Sequence, residues 1–321
     1  MGSALKIAKY LNHFGVDRML KAALGDNLQI FRREKERLDS NGEEWFRNEI
    51  GVDFTEGDVQ GDDWDLFIFD DHYTVLRFET SGAKARRYVW YCHGTFTEWK
   101  EPQEVFNAKL KDVSVIYTDQ FKRSLTETWR DFTVHDATVL PIALTSGAHF
   151  SKPMSKNGRV ALIGNDYAGV CKNYPRWESF AKPAIKHLVK TYPDNLDVFG
   201  YNDEPLNVEM FGDLRRGTTK IRGHTDLSGS VHLSATASIG FVLAECFAAG
   251  IPVVATPKYQ LPDYGWRCVY SVEQVDREVA KLIADPDYAY KLGLEGHNMY
   301  SRSFPFQAYK ERLVAWLERQ C

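Results

Sequence analysis

Cysteine is scarce and unpatterned: Cys92, Cys171, Cys246, Cys268 and Cys321 are the five in a chain of 321 residues, with no Cys-x-x-Cys spacing. That argues against a disulfide framework and a cysteine-built zinc site, and it makes the cytoplasm the default compartment. Cys92, Cys246 and Cys268 sit in apolar segments, which predicts buried, reduced thiols. No apolar run approaches the ~18–20 residues needed to span a bilayer, so no membrane span is expected. The opening Met1-Gly2-Ser3-Ala4 lacks a basic stretch leading into an apolar one, and no secretion signal is expected. No Gly-x-Gly-x-x-Gly follows the first strand-like segment, which weighs against a dinucleotide-dependent oxidoreductase or epimerase. No Asp-x-Asp stands at a strand end in the context of a metal site, so no metal is expected. Asp70-Asp71, after an apolar run, reads as a solvated turn.

What is present is the composition of an ordinary globular protein, 44 % hydrophobic and 26 % charged. The length suits two domains of roughly 100–200 residues each. The net charge of −4 is unevenly spread. Residues 1–150 carry 19 Lys and Arg against 25 Asp and Glu, a balance of −6, and the remainder carries 21 against 19, a balance of +2. An acidic first half repels polyphosphate backbones, whereas the second half accepts a small anion; a nucleic-acid partner is not favoured.

Strand-like and helix-like segments alternate, the pattern of an α/β chain with parallel sheets. Leu5–Leu11 reads as a strand, Asn12–Gly15 as a turn and Arg18–Leu24 as a helix. Leu66–Phe69, Tyr88–Cys92, Val113–Tyr117 and Ala137–Pro141 are of strand length, and the polar stretch Ser40–Asp65 reads as an irregular connection. Ser, Gly, Pro, Lys and Asn cluster over Thr145–Arg159 and mark a boundary, giving domains over 1–150 and 151–321. The second series predicts strands at Val160–Ile163, Leu196–Phe199, Thr219–Arg222, Val231–Leu233 and Pro252–Thr256, with helices over Tyr174–Thr191, Gly240–Ala249 and Val272–Ala284. Tyr309, Leu313, Trp316 and Leu317 fall on one face of a last helix. Trp64, Trp90 and Trp99 read as core more readily than as a sugar-stacking platform.

The informative stretch runs from Ser234 to Thr256: strand end, small polar loop, helix, glycine stop, buried strand. Thr236, Ser238, Ile239 and Gly240 leave backbone N–H groups exposed at a helix N-terminus, where unpaired amides and the helix dipole favour phosphate. Glu245 lies one to two turns into that helix among apolar neighbours. A carboxylate there needs hydrogen-bond donors; a ribose diol beyond a bound diphosphate supplies two, and a neighbouring backbone or solvent is the plainer alternative.

This segment resembles the signature of the family-four retaining glycosyltransferases, Glu-Gly-Phe-Gly-Leu-x-x-x-Glu-Ala-x-Ala-x-Gly-x-Pro-Val-Val-Ala. Gly240, Glu245, Ala248, Gly250, Pro252, Val253, Val254 and Ala255 fall in register. The resemblance implies a GT-B fold, two Rossmann-like α/β domains with parallel sheets facing a central cleft. It assigns the acceptor side to domain 1–150 and the donor side to 151–321, with the last helix packing back on the first domain. It gives Glu245 the nucleotide ribose. The first glutamate of the signature is Ala237 here, so the usual donor-sugar contact is missing.

Weaker likenesses follow the same order. Gly164 after the strand Val160–Ile163, then Lys172, resembles the family's diphosphate-binding element, with Asn165 where an arginine is usual and Arg176 or Arg222 as substitutes. Arg222-Gly223 resembles the turn that frames the base, and Gly15 the small-residue loop near the diphosphate. His93, closing the strand Val89–Cys92, matches a histidine that touches donor sugar or acceptor. The implied reaction moves a sugar from a nucleoside-diphosphate sugar, such as a UDP-sugar, to a hydroxyl acceptor with retention, needing no cofactor. Lys172 and the amides of Ser238–Gly240 would stabilise the departing diphosphate. Two alternatives remain: a transferase acting on hydroxymethylated bases of phage DNA, and a non-catalytic sugar-nucleotide-binding homologue, the latter suggested by Ala237 and Asn165.

Overall fold

The computed structural model describes residues 5–11, 14–32, 53–70, 72–92, 113–118, 134–145, 158–163, 177–199, 210–211, 214–216, 227–233, 240–258 and 261–321. In chain order these form β1 (Ile7–Tyr10), α1 (Phe14–Leu24), β2 (Leu28–Arg32), β3 (Thr55–Glu56), β4 (Trp64–Phe69), α2 (His72–Thr80), β5 (Ala85–Cys92), β6 (Val113–Tyr117) and β7 (Val134–Val139). There follow β8 (Arg159–Ile163), a π-helical turn (Trp177–Ala181) running into α3 (Lys182–Thr191), β9 (Leu196–Phe199), β10 (Arg215–Arg216) and β11 (Leu227–His232). The chain ends with α4 (Phe241–Ala249), β12 (Val253–Ala255), β13 (Arg267–Cys268), α5 (Val272–Ala284), α6 (Pro286–Ser303) and α7 (Phe306–Glu318).

Two compact units divide the chain, one of Met1–Thr145 with Phe306–Cys321 and one of Ser146–Pro305. The first holds a seven-stranded sheet in the order β3-β2-β1-β4-β5-β6-β7, and the second a six-stranded sheet in the order β10-β9-β8-β11-β12-β13. Every pairing between described strands is parallel. Parallel strands are covered on both faces, so they read as unbroken apolar runs; Val113–Tyr117 and Val253–Ala255 are buried at every position.

Lys9 breaks that rule inside β1, where it is 1 % exposed. Its ammonium lies 2.7 Å from Asp17 Oδ1 in the first turn of α1 and 2.5 Å from Asp70 Oδ2 just beyond β4. It also donates to the Tyr10 carbonyl oxygen at 3.0 Å. Burial alone would lower the Lys9 pKa; the Asp17 and Asp70 carboxylates overcome this and hold it well above the usual lysine value. Asp70 is therefore a buried ion-pair partner and not a solvated turn residue. The correction has a simple cause, since a lysine buried in a parallel strand must be met by carboxylates.

The first unit is completed by α7, whose Tyr309, Leu313, Trp316 and Leu317 are buried. Tyr309 and Tyr91 hydroxyls lie 3.4 Å apart, Ser114 Oγ donates to Gln320 Oε1 at 2.5 Å, and Arg312 donates to the Val139 carbonyl oxygen at 2.9 Å. Trp64 and Trp90 are buried in the same unit's core. Trp99 and the strand expected over Thr219–Arg222 lie outside the described residues, as does Cys171. Cys268 is exposed, because the strand that holds it is only two residues long and lies at the sheet edge.

Replacing Lys9 with Met leaves two buried carboxylates without their cation, and is expected to cost about 3–5 kcal/mol. Urea unfolding of wild type and Lys9→Met measures this; a loss under about 1 kcal/mol would show that other donors satisfy both carboxylates.

Candidate functional site

In the second sheet the chain builds β8, steps outward through β9 to β10, then returns to the other side of β8 for β11, β12 and β13. The order reverses between β8 and β11. In open α/β sheets, ligands bind outside the carboxyl ends of the strands at that reversal. Leu162 of β8 is level with Val231 of β11, and His232 is level with Ala255 of β12, so these strand ends share one edge of the sheet.

Helix α4 follows β11 and starts at that edge. Its sequence, Phe-Val-Leu-Ala-Glu-Cys-Phe-Ala-Ala, buries Leu243, Ala244 and all of Cys246–Ala249. Phe241, Val242 and Glu245 are half-buried and, at spacings of three and four, share the helix's remaining face. Glu245 is the one charged residue of the helix. Gly240 caps the N-terminus with an extended backbone, φ −86° and ψ 165°, and no side-chain cap bond. It is exposed, and a Cβ there would meet nothing within 4 Å. Among the described residues, neither packing nor backbone conformation requires glycine at this position.

The helix ends at Gly250, which is left-handed with φ 72°. Gly250 N–H donates to Phe247 O at 3.0 Å and Ile251 N–H to Cys246 O at 2.9 Å, a Schellman motif that turns the chain into β12. Helix α6 presses on this turn: a Cβ on Gly293 would lie 2.0 Å from the Gly250 oxygen, and one on Gly296 would lie 2.7 Å from the Gly265 oxygen. A ring nitrogen of half-buried His297 in α6, Nδ1, is 2.8 Å from the Ala248 carbonyl oxygen.

Beneath the sheet edge lies a polar cluster. His232 is buried at the end of β11, with its Nε2 3.8 Å from Cys246 Sγ in α4. Burial and, secondarily, the charge of Lys258 push the His232 pKa down to about 3, so the imidazole is neutral. Burial lifts the Cys246 thiol to about 12, partly opposed by Ser230 and reinforced by Glu245. Lys258, three residues past β12, is 5 % exposed and donates to Thr256 Oγ1 at 3.3 Å. Burial lowers its pKa to about 8. A cavity of about 340 Å³ opens beside it, walled in part by Asp263, Trp266, Cys268 and Tyr270.

Of the residues chosen from the sequence, Gly240 and Glu245 are brought together on α4. Gly15 is in the first unit, where it belongs to the first turn of α1 and not to a loop before it, because α1 begins at Phe14. His93, Gly164, Lys172, Arg222, Gly223, Thr236, Ser238 and Ile239 lie outside the described residues. Sequence reasoning missed His232 and Lys258. A lysine after Thr-Pro reads as a surface residue, and only its place just past a buried strand next to the reversal signals otherwise. Among the described residues, no three His, Cys, Asp or Glu side chains form a group that could hold a metal ion, and no helix is long and apolar enough to cross a membrane.

The fold defined by these two parallel-sheet units is that of the GT-B glycosyltransferases. No protein-family model matches the sequence, and no curated protein matches it. Among solved structures, HepE from Anabaena in complex with UDP and glucose superposes with a TM-score of 0.69 at 11 % identity, over 98 % of this chain and 99 % of that one. The DNA-modifying β-glucosyltransferase superposes at 0.61 and 14 % identity, over 98 % and 99 % of the two chains. The T4 phage enzyme BGT with its UDP-glucose substrate superposes at 0.59 and 12 % identity, over 96 % and 98 %.

The neutral His232 makes stability depend on pH with a definite sign. Its folded pKa, about 3, is below the ordinary 6.5, so the unfolded chain takes up the proton first and stability falls as pH drops below 6.5. Between pH 7 and pH 5 the loss is expected to be about 2 kcal/mol at 1.36 kcal/mol per unit. Urea unfolding of wild type and His232→Gln at both pH values measures the difference; equal losses in the two proteins would contradict the assignment.

Proposed function

We propose that the chain transfers a sugar from a nucleoside-diphosphate sugar, with a UDP-sugar the first candidate, to a hydroxyl acceptor. The observation that carries this reading is Glu245: the only charge on α4, set on its one open face, one turn beyond an exposed glycine cap at the sheet's reversal point. A helix N-terminus at that place offers amides and a positive dipole end to a diphosphate. A carboxylate a turn further along accepts hydrogen bonds from a ribose diol. Glycine at 240, where the protein's own packing has room for a methyl group, fits a backbone that a ligand must approach closely. The UDP and UDP-glucose held by the superposing structures support the same ligand class.

In this reading the unit of Ser146–Pro305 binds the donor and that of Met1–Thr145 with Phe306–Cys321 takes the acceptor. Gly15, Gly164, Arg222, Gly223, Thr236, Ser238 and Ile239 are the further donor-binding candidates, and Lys172 and His93 the catalytic ones. The bond from the anomeric carbon to the diphosphate oxygen breaks, the acceptor oxygen bonds to that carbon, and the hydroxyl proton is released. Positive charge and oriented amides accelerate this by stabilising the leaving diphosphate. Retention rests on the family resemblance alone. A second acceptor, a modified base in DNA, is favoured by the likeness to the DNA-modifying glucosyltransferase and opposed by the −6 balance of residues 1–150.

Thermal unfolding with UDP, GDP, ADP and dTDP tests the proposal. At ~100 times its dissociation constant the right nucleotide stabilises wild type by about 2.7 kcal/mol. Glu245→Ala and Gly240→Ala should keep the unliganded melting temperature within a few degrees and lose most of that shift. No shift of wild type by any of the four nucleotides would overturn the proposal.

A further inference from the structure

We infer that Lys258 is a second cation of the donor site, holding the sugar-diphosphate end of the nucleotide sugar in the cavity beside it; this rests on the proposed function and extends it to a residue outside the recognised signature. The argument starts from the sheet. His232 and Ala255 are in register at the ends of neighbouring strands, and Thr256 N–H donates to the His232 carbonyl oxygen at 3.1 Å. Thr256-Pro257-Lys258 therefore leaves the sheet at the same edge as the end of β11. The ammonium is buried at this edge and close enough to His232 to act on its ionisation.

The space available matches a part of the donor. Ligand pockets run from about 300 to 1,000 Å³, and a cavity of about 340 Å³ at Lys258 suits a sugar with its adjoining phosphate better than a whole nucleotide sugar. Its wall combines the charge of Lys258 with Trp266 and Tyr270, flat faces of the kind that sugar rings stack on, and Asp263, an acceptor for hydroxyls. Glu245 would hold the ribose while Lys258 neutralises charge on the phosphate nearest the sugar. That phosphate gains charge as the glycosidic bond breaks, so a cation held in a site of low polarity stabilises the transition state more than the bound donor.

Burial also gives the cation a pH signature, since Lys258 is lowered to about 8 in the unliganded protein, and an anion beside it must raise that value. His232 of β11, neutral with a pKa of about 3, feels the Lys258 charge, and Cys268 of β13 partly opposes the effect of burial on Lys258. Asp263 and Tyr270, on the segments flanking β13, line the same cavity.

The test is calorimetric titration of the full chain with UDP-glucose, whose diphosphate charge is constant between pH 7 and pH 9. Affinity should fall about 10-fold from pH 7 to pH 9, because protonated Lys258 falls from about nine-tenths to about one-tenth of the population. Lys258→Arg stays charged at both pH values, and its affinity should not fall. Lys258→Gln should bind weakly and equally at both. Wild type that binds at pH 7 and equally well at pH 9 overturns the inference and leaves the proposed function standing. A fall that persists in Lys258→Arg overturns it likewise. Wild type that binds no UDP-glucose at pH 7 overturns the proposed function together with the inference.

Discussion

The second unit depends on how closely α6 can approach the turn that ends α4. Side chains are absent where the two backbones meet: Gly293 faces the Gly250 oxygen, and Gly296 faces the Gly265 oxygen and the Phe247 ring. Gly250 and Gly265 are themselves held at positive φ, 72° and 80°, where any other residue is strained. These four glycines set the distance and tilt of α4 against the rest of the unit. Because α4 is otherwise buried along most of its surface, its orientation decides where Gly240 and Glu245 point. A methyl group added at position 293 would act on the site from the far end of the helix.

The two units treat buried charge in opposite ways. In the first, Lys9 is enclosed by two carboxylates within 2.7 Å, and the arrangement ties β1, α1 and the end of β4 together. Such a triad is costly to desolvate and costly to break, so it locks geometry more than it adds stability. In the second, Lys258 keeps a lowered pKa beside a cavity and His232 is kept neutral. A lysine whose pKa is lowered by burial gains on meeting an anion. The same residue type is enclosed by carboxylates at one strand end and lies against a cavity at another.

Much of the architecture could be read from the sequence, for physical reasons that differ along the chain. Parallel strands announce themselves as apolar runs, so Val113–Tyr117 and Leu196–Phe199 were placed without error. Val272–Ala284 was equally plain, since its apolar positions repeat at helical spacing and Ser271 caps it through the Gln274 N–H. The edge strands β3, β10 and β13 are two residues long and carry no periodicity, and β2 and α6 were not anticipated. At the site, Glu245 was visible because a charge interrupts an apolar helix that stops at glycine. Lys258 and the partners of Lys9 were not visible, because their meaning lies in neighbours distant in sequence: 61 residues separate Lys9 from Asp70.

The central claim is that a nucleoside diphosphate lies at the N-terminal end of α4 with its ribose on Glu245. A crystal structure of the full chain grown with UDP tests this most directly. The account predicts diphosphate density against the backbone of Gly240, with the ribose hydroxyls within hydrogen-bond distance of the Glu245 carboxylate. Nucleotide bound elsewhere, or bound at this edge with Glu245 turned away from the ribose, would contradict it.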